Sequence, residues 1–153
     1  MATANRLGGM ELTPESLRRR ILERGLPEAA ATIATQGGSA VHPALEFTAE
    51  SISLTSDGPS ISVIRHSGRT DLVPLWTSSA TVTVFSAADG SFLEWSAEDD
   101  EQPWQSWPDF ASAVRHLLTD LYENMVSDEH RHEVAALLLP EDQIAAAMVP
   151  EER

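Results

Sequence analysis

The sequence predicts an α+β domain: an N-terminal helix, a central and mainly antiparallel sheet of four to six strands, and C-terminal helices. Three observations carry this prediction. TVTVF (81–85) and SFLEW (91–95) flank Ala88-Asp89-Gly90, giving two alternating strands around a turn. Phe110, Val114, Leu117, Leu121 and Met125 recur every three or four residues, with Leu118 widening the stripe, which is helical periodicity. The order of elements, helix then short strands then helices, separates the two kinds of structure along the chain.

The first helix opens at Thr13-Pro14-Glu15, a hydroxyl cap followed by proline in the first turn. Leu17, Ile21 and Leu22 supply its apolar side, and Gly25 followed by Leu26-Pro27 ends it. Arg18-Arg19-Arg20 spreads around the helix and reads as a solvated flank. QGGSA and SDGPS are loop-like and bracket a weakly extended stretch near Leu45 to Leu54. SISVIRH (60–66) alternates as a strand, and SGRTD turns into LVPLW (72–76), whose proline places it at a sheet edge or a strand end. Ser106-Trp107-Pro108-Asp109 reads as a serine cap with an acid three residues later, ahead of the long helix. A further helix is expected from about Asp128 to Leu139, stopped by Pro140, and a short one over Glu141 to Met148. Residues 1–12 are expected to form a flexible N-terminus, 13–126 a single domain and 127–153 a helical extension.

A chain of 153 residues is long enough to bury roughly 70% of its unfolded surface. The charge of −14 is uneven. Residues 1–93 hold nine acids and seven arginines, whereas 94–153 hold fifteen acids and three arginines. A field of that sign argues against nucleic acid or an anionic membrane as partner, since both are polyanions, and favours a basic protein. No apolar run has the length of a membrane span, no secretory signal precedes Thr13, and no cysteine is present. A cytoplasmic setting is the expectation.

Catalytic signatures are lacking. All ten basic residues are arginine, which removes Schiff-base and phosphate-loop lysine chemistry. There is no GxSxG and no glycine-rich phosphate loop. His130 and His132 in DEHRHE stand two apart, about 200° around a helix, and cannot share one metal there. His116 lies four residues before Asp120 and reads as half of a surface pair, while His42 and His66 stand alone. A non-enzymatic protein with no metal and no cofactor is expected.

Residues 94–110, EWSAEDDEQPWQSWPDF, combine acid with aromatic surface. Trp76, Trp95 and Trp107 are expected in the core. Glu94, Glu98, Asp99, Asp100 and Glu101, with Trp104 as an aromatic anchor, are the candidate partner-binding residues.

Three segments in this order also resemble the SUKH superfamily. Ile21-Leu22-Glu23-Arg24-Gly25-Leu26-Pro27 is similar to its helix followed by GLP. The Asp89-Gly90 hairpin resembles its D-x-x-tG-x-v region, and SWPDFASAVRHLL (106–118) is similar to its closing helix. The likeness spans roughly residues 13–123. It departs at the alanine-rich AAATIA after GLP and beyond residue 126. The resemblance implies a mixed α+β fold with a central sheet, and a relationship to bacterial immunity proteins that bind and neutralise a toxin, often a basic nuclease. The alternative is an acidic chaperone or adaptor of a secretion or injection apparatus, which an exposed apolar groove would favour.

Overall fold

The computed structural model describes residues 5–7, 10–54, 64, 67, 69, 71–79, 81–96 and 102–152. It is a mixed α+β fold; the described residues form five helices with defined bounds and a four-stranded antiparallel sheet, helices standing on both sides of the sheet in the chain. A two-stranded antiparallel pair, β1 (Asn5–Leu7) and β2 (Met10–Leu12), comes first, and Leu12 is buried.

Helix α1 (Pro14–Glu23) begins where the sequence places it. Thr13 Oγ1 accepts from the Ser16 amide at 3.1 Å, and Ser16 Oγ accepts from the Thr13 amide at 2.8 Å. This reciprocal pair satisfies two otherwise orphaned donors, with serine in the position a glutamate usually takes. Leu17 and Ile21 are buried, whereas Leu22 is largely exposed. Gly25, with φ of 78°, reverses the chain.

A second helix, α2 (Glu28–Gln36), follows. Its buried face is Ala30, Ala31, Ile33 and Ala34, so it lacks the large-residue stripe by which an amphipathic helix is read. Alanine has the highest helix propensity, and small side chains allow the close packing of α2 on α1 and the sheet. After it the chain tightens into two single helical turns, Gly38–Ala40 and Pro43–Leu45. The extended stretch expected near Leu45 to Leu54 is therefore mostly turn. Its one ladder contact is an isolated antiparallel bridge from Glu50 to Thr77. Of the strand expected over 60–66, only Ile64 is described, and it is buried and helical.

The sheet runs β3 (Leu72–Ser78), β4 (Thr81–Ser86), β5 (Phe92–Ser96), β6 (Gln105–Trp107) in spatial order. LVPLW is at the edge as its proline requires, and the register slips between Pro74 and Trp76. The β4–β5 hairpin pairs Val84 with Leu93 and Val82 with Trp95 across a turn at Gly90, φ 76°. Asp89 Oδ1 accepts from the Ser91 amide at 3.0 Å and fixes that turn. Nearly every residue of β3 and β5 is buried, so the sheet is covered on both faces. At its start, the Arg69 guanidinium grips Asp71 at 2.7 and 3.0 Å and Ser86 Oγ at 2.6 Å. This hydrogen bonding from Arg69, aided by Ser86 and the Ala88 amide, holds the Asp71 carboxyl well below the usual carboxylate range.

Helix α3 (Phe110–Glu123) is capped by Asp109, whose Oδ1 accepts from the Ser112 amide at 2.8 Å. The cap is thus three residues later than Ser106, because Gln105–Trp107 is drawn into the sheet beside β5. Phe110 joins helix to sheet, its ring 5.6 Å from Phe92 and 6.4 Å from Trp76. Val114, Leu117, Leu118 and Leu121 are buried; Met125 lies beyond the helix and is exposed. Helix α4 (Asp128–Leu138), capped by Ser127, and α5 (Glu141–Ala147) both pack on α3. Among the described residues no helix is long and apolar enough to cross a membrane.

Candidate functional site

A cleft of about 580 Å³ lies where β5, the entry to β6, α3 and the segment after α5 meet. Glu94, Asp120, Glu123, Glu151 and Glu152 contribute carboxylates to its lining, and Phe47 and Trp104 contribute aromatic rings. At its centre is His116, only 8% exposed.

Alternation along β5 sends Leu93 and Trp95 to one face and Glu94 to the other. Opposite Glu94 on β6 is Gln105, whose Nε2 donates to Glu94 Oε1 at 3.5 Å. Glu94 is 8% exposed, an unusual depth for a carboxylate, and its Oε2 lies 3.2 Å from His116 Nε2. On the other side of the ring, His116 Nδ1 is 2.7 Å from Glu151 Oε1. Asp120, one turn further along α3, is 4.0 Å from Nε2, and the Trp107 ring lies against the imidazole at 4.8 Å between centroids.

A neutral imidazole has one N–H and one lone pair. Carboxylate oxygens facing both ring nitrogens are served best by two donors, so the geometry favours the imidazolium. Burial pulls the His116 pKa down, but hydrogen bonding and charge from Glu94, then Glu151, with the charge of Asp120, outweigh it and raise the pKa above its ordinary value. Stability follows with a definite sign. The contribution of His116 is fully present below the unfolded value of about 6.5 and is lost as pH rises through the higher folded value. Thermal melts of the wild type and His116→Gln should therefore differ most below about pH 6.5 and converge as the pH rises above it. A gap that is constant across this range would contradict the charged pairing.

The surface pair expected of His116 and Asp120 is thus corrected. His116 is buried, and its two closest acids come from strand β5 and from 35 residues downstream. Trp76, Trp95 and Trp107 are buried, whereas Trp104 is 57% exposed at the cleft rim. Its amide donates to the Glu94 carbonyl at 2.8 Å, which sets the indole beside the acidic wall. Phe47, 81% exposed, stands on the turn after Leu45 and was not signalled by any sequence pattern. Of the predicted partner-binding residues, Glu94 and Trp104 line the same cleft; Glu98, Asp99, Asp100 and Glu101 lie outside the described residues.

Elsewhere, His130 and His132 are both exposed on α4. His42 is not alone: its Nε2 is 3.0 Å from Glu133 Oε1, and its ring meets His130 edge-on at 5.5 Å. Among the described residues no three His, Asp or Glu side chains are grouped so as to hold a metal ion. No family model, curated protein or solved structure matches the chain.

Proposed function

We propose that the chain is a non-catalytic protein-binding domain of the immunity type, which captures a basic partner, such as a toxin domain, on its acidic side. The observation that carries this reading is the juxtaposition of five carboxylates with two exposed aromatic rings, Phe47 and Trp104, around one cleft. An arginine or lysine entering there would meet opposite charge in the wall and ring faces at the rim. In the chain, the acids 98–101 link β5 to Trp104 and add to the same end of the sequence. The resemblance to the SUKH superfamily agrees with this role.

Charge and aromatic surface would divide the work. An exposed charge pair contributes about 0–1 kcal/mol, so the acids mainly speed association and select the partner. A well-packed aromatic anchor costs about 2 kcal/mol or more when truncated, close to thirtyfold in affinity. The test is capture of partners at about 50 mM and about 300 mM salt, where screening lengths differ more than twofold. Wild type would be compared with Trp104→Ala, Phe47→Ala and a variant with Glu98, Asp99, Asp100 and Glu101 changed to their amides. The expected result is a folded basic protein, held at low salt, weakened by each variant, and inhibited in its own activity when bound. Binding that is indifferent to salt and to all three variants would remove the cleft from the interface.

A second reading has one observation in its favour. Ala136, Leu139, Ile144, Ala145 and Met148 line an apolar groove between α4 and α5. A chaperone or adaptor would lay an extended apolar segment there, and capture of such a segment unaffected by Trp104→Ala would favour it.

A further inference from the structure

The segment after α5, Met148 to Glu152, runs back across α3 as a strap and supplies Glu151 and Glu152 to the cleft wall. We infer that His116 is a proton-operated clasp that fastens the far part of this strap, Glu151 and Glu152, against α3.

The strap is held in two different ways along its length. Arg131 Nη2 donates to the Met148 carbonyl at 2.8 Å. Arg115 donates from Nε to the Val149 carbonyl at 2.6 Å and from Nη2 to the Pro150 carbonyl at 2.9 Å. A guanidinium keeps its charge at every pH the protein meets, so these three contacts do not titrate. Beyond Pro150 the contacts change character. The Glu151 amide donates to Thr119 Oγ1 at 3.0 Å, and its carboxylate meets His116 Nδ1 at 2.7 Å.

Among the described residues, the charged groups in contact with His116 are acids. Glu94 approaches from β5, Asp120 from α3 itself and Glu151 from the strap, with the Trp107 ring covering it from β6. Glu123 and Glu152 line the cleft around them. Loss of the second imidazole proton turns a lone pair towards one of the two close carboxylates. Glu94 is part of a strand laddered on both sides, so its position is fixed by β4 and β6. Glu151 sits on a single crossing segment, and the separation falls there. Pro150 becomes the hinge: Met148 to Pro150 stay docked on three guanidinium bonds, while Glu151, its side chain released, and Glu152 loosen about the remaining amide bond to Thr119. That the cleft then loses two of its carboxylates to a partner rests on the function proposed above; the clasp itself does not.

The test is NMR on the free chain of residues 1–153 from about pH 5.5 to about pH 9, bracketing the histidine range. The His116 ring carbons would be followed together with backbone order parameters along the strap. The expected result is a ring midpoint above 6.5. At that same midpoint Glu151 and Glu152 should drop from about 0.85, the rigid-backbone value, to below about 0.6, while Val149 stays rigid. In His116→Gln the strap profile should be flat with pH. In Glu151→Gln, which removes the charge but leaves the ring, the ring midpoint should move down. The clasp is overturned by a strap that stays ordered through the ring titration, by loosening at an unrelated pH, or by a ring midpoint that Glu151→Gln does not move. All readouts use the free chain, so failure here leaves the partner-capture test standing, and failure of capture leaves the clasp standing.

Discussion

Gly38→Ala is expected to destabilise the protein by about 3 kcal/mol or more, an effect at the upper end of overpacking. A Cβ at Gly38 would lie 2.5 Å from the Ala49 carbonyl oxygen, 2.6 Å from Leu45 Cβ and 2.9 Å from the Leu45 carbonyl oxygen. Two of the three are backbone atoms, and the third is the root of a fully buried side chain. None can rotate away. The same glycine donates its amide to Ala49 at 2.8 Å and accepts from the amides of Val41 and His42, both at 2.9 Å. It is the pin of the double turn that carries Phe47. Urea unfolding of the variant measures the cost, and a loss below about 1 kcal/mol would mean that this turn is not packed as described. A second consequence separates fold from function. Gly38→Ala should weaken partner capture as Phe47→Ala does, even under conditions where the variant is still folded, because the rim aromatic is displaced along with the turn.

The other large effect is expected at Arg131. This residue is 2% exposed and has its guanidinium over the Tyr122 ring, 5.2 Å from the centroid. It donates to the Leu118 carbonyl at 3.2 Å, the Met148 carbonyl at 2.8 Å and Asp128 Oδ1 at 2.9 Å. One side chain thereby ties α3, the start of α4 and the strap together. Arg131→Ala should cost about 3 kcal/mol, from lost bonds, a stranded Met148 carbonyl and lost packing of the stem. Arg131→Lys should recover less than half, since a single ammonium cannot reach three acceptors arranged for a planar fork. The control is Asp128→Ala. That carboxylate is 90% exposed on its side chain, so its removal should cost no more than about 1 kcal/mol. If chemical denaturation gives the two alanine variants equal losses, the surface ion pair rather than the buried fork holds the helices.

The parts of this fold that could be read from sequence are those whose signals are local. The β4–β5 hairpin is legible because threonine–valine alternation, a turn pair and a second alternation fall within fifteen residues. Helix α3 is legible because its buried residues are large and evenly spaced. Helix α2 is not, since alanine carries its buried face and contributes little periodic contrast. A serine–acid spacing at Ser106 fits a cap for α3, but pairing of that segment with β5 moves the cap to Asp109. The site divides in the same way. Glu94 and Trp104 stood out as acid and aromatic residues in one short run. His116 did not, because Glu94 reaches it through the sheet and Glu151 through the return of the strap, and neither distance in the chain suggests contact. Phe47 owes its position to a glycine nine residues earlier, a relation no hydrophobic pattern expresses.

The slip between Pro74 and Trp76 has a bearing on how this molecule keeps company with itself. An open edge strand is a template on which an identical chain can dock backbone to backbone, the first step towards ordered aggregates. Here the border strand lacks a donor at Pro74, breaks its repeat at the following residue, and has Thr77 already bonded to Glu50 in both directions, at 2.8 and 3.0 Å. The opposite border, β6, offers three residues. Neither margin of this sheet is suited to templating, so recognition of other molecules there falls to side chains rather than to the ladder.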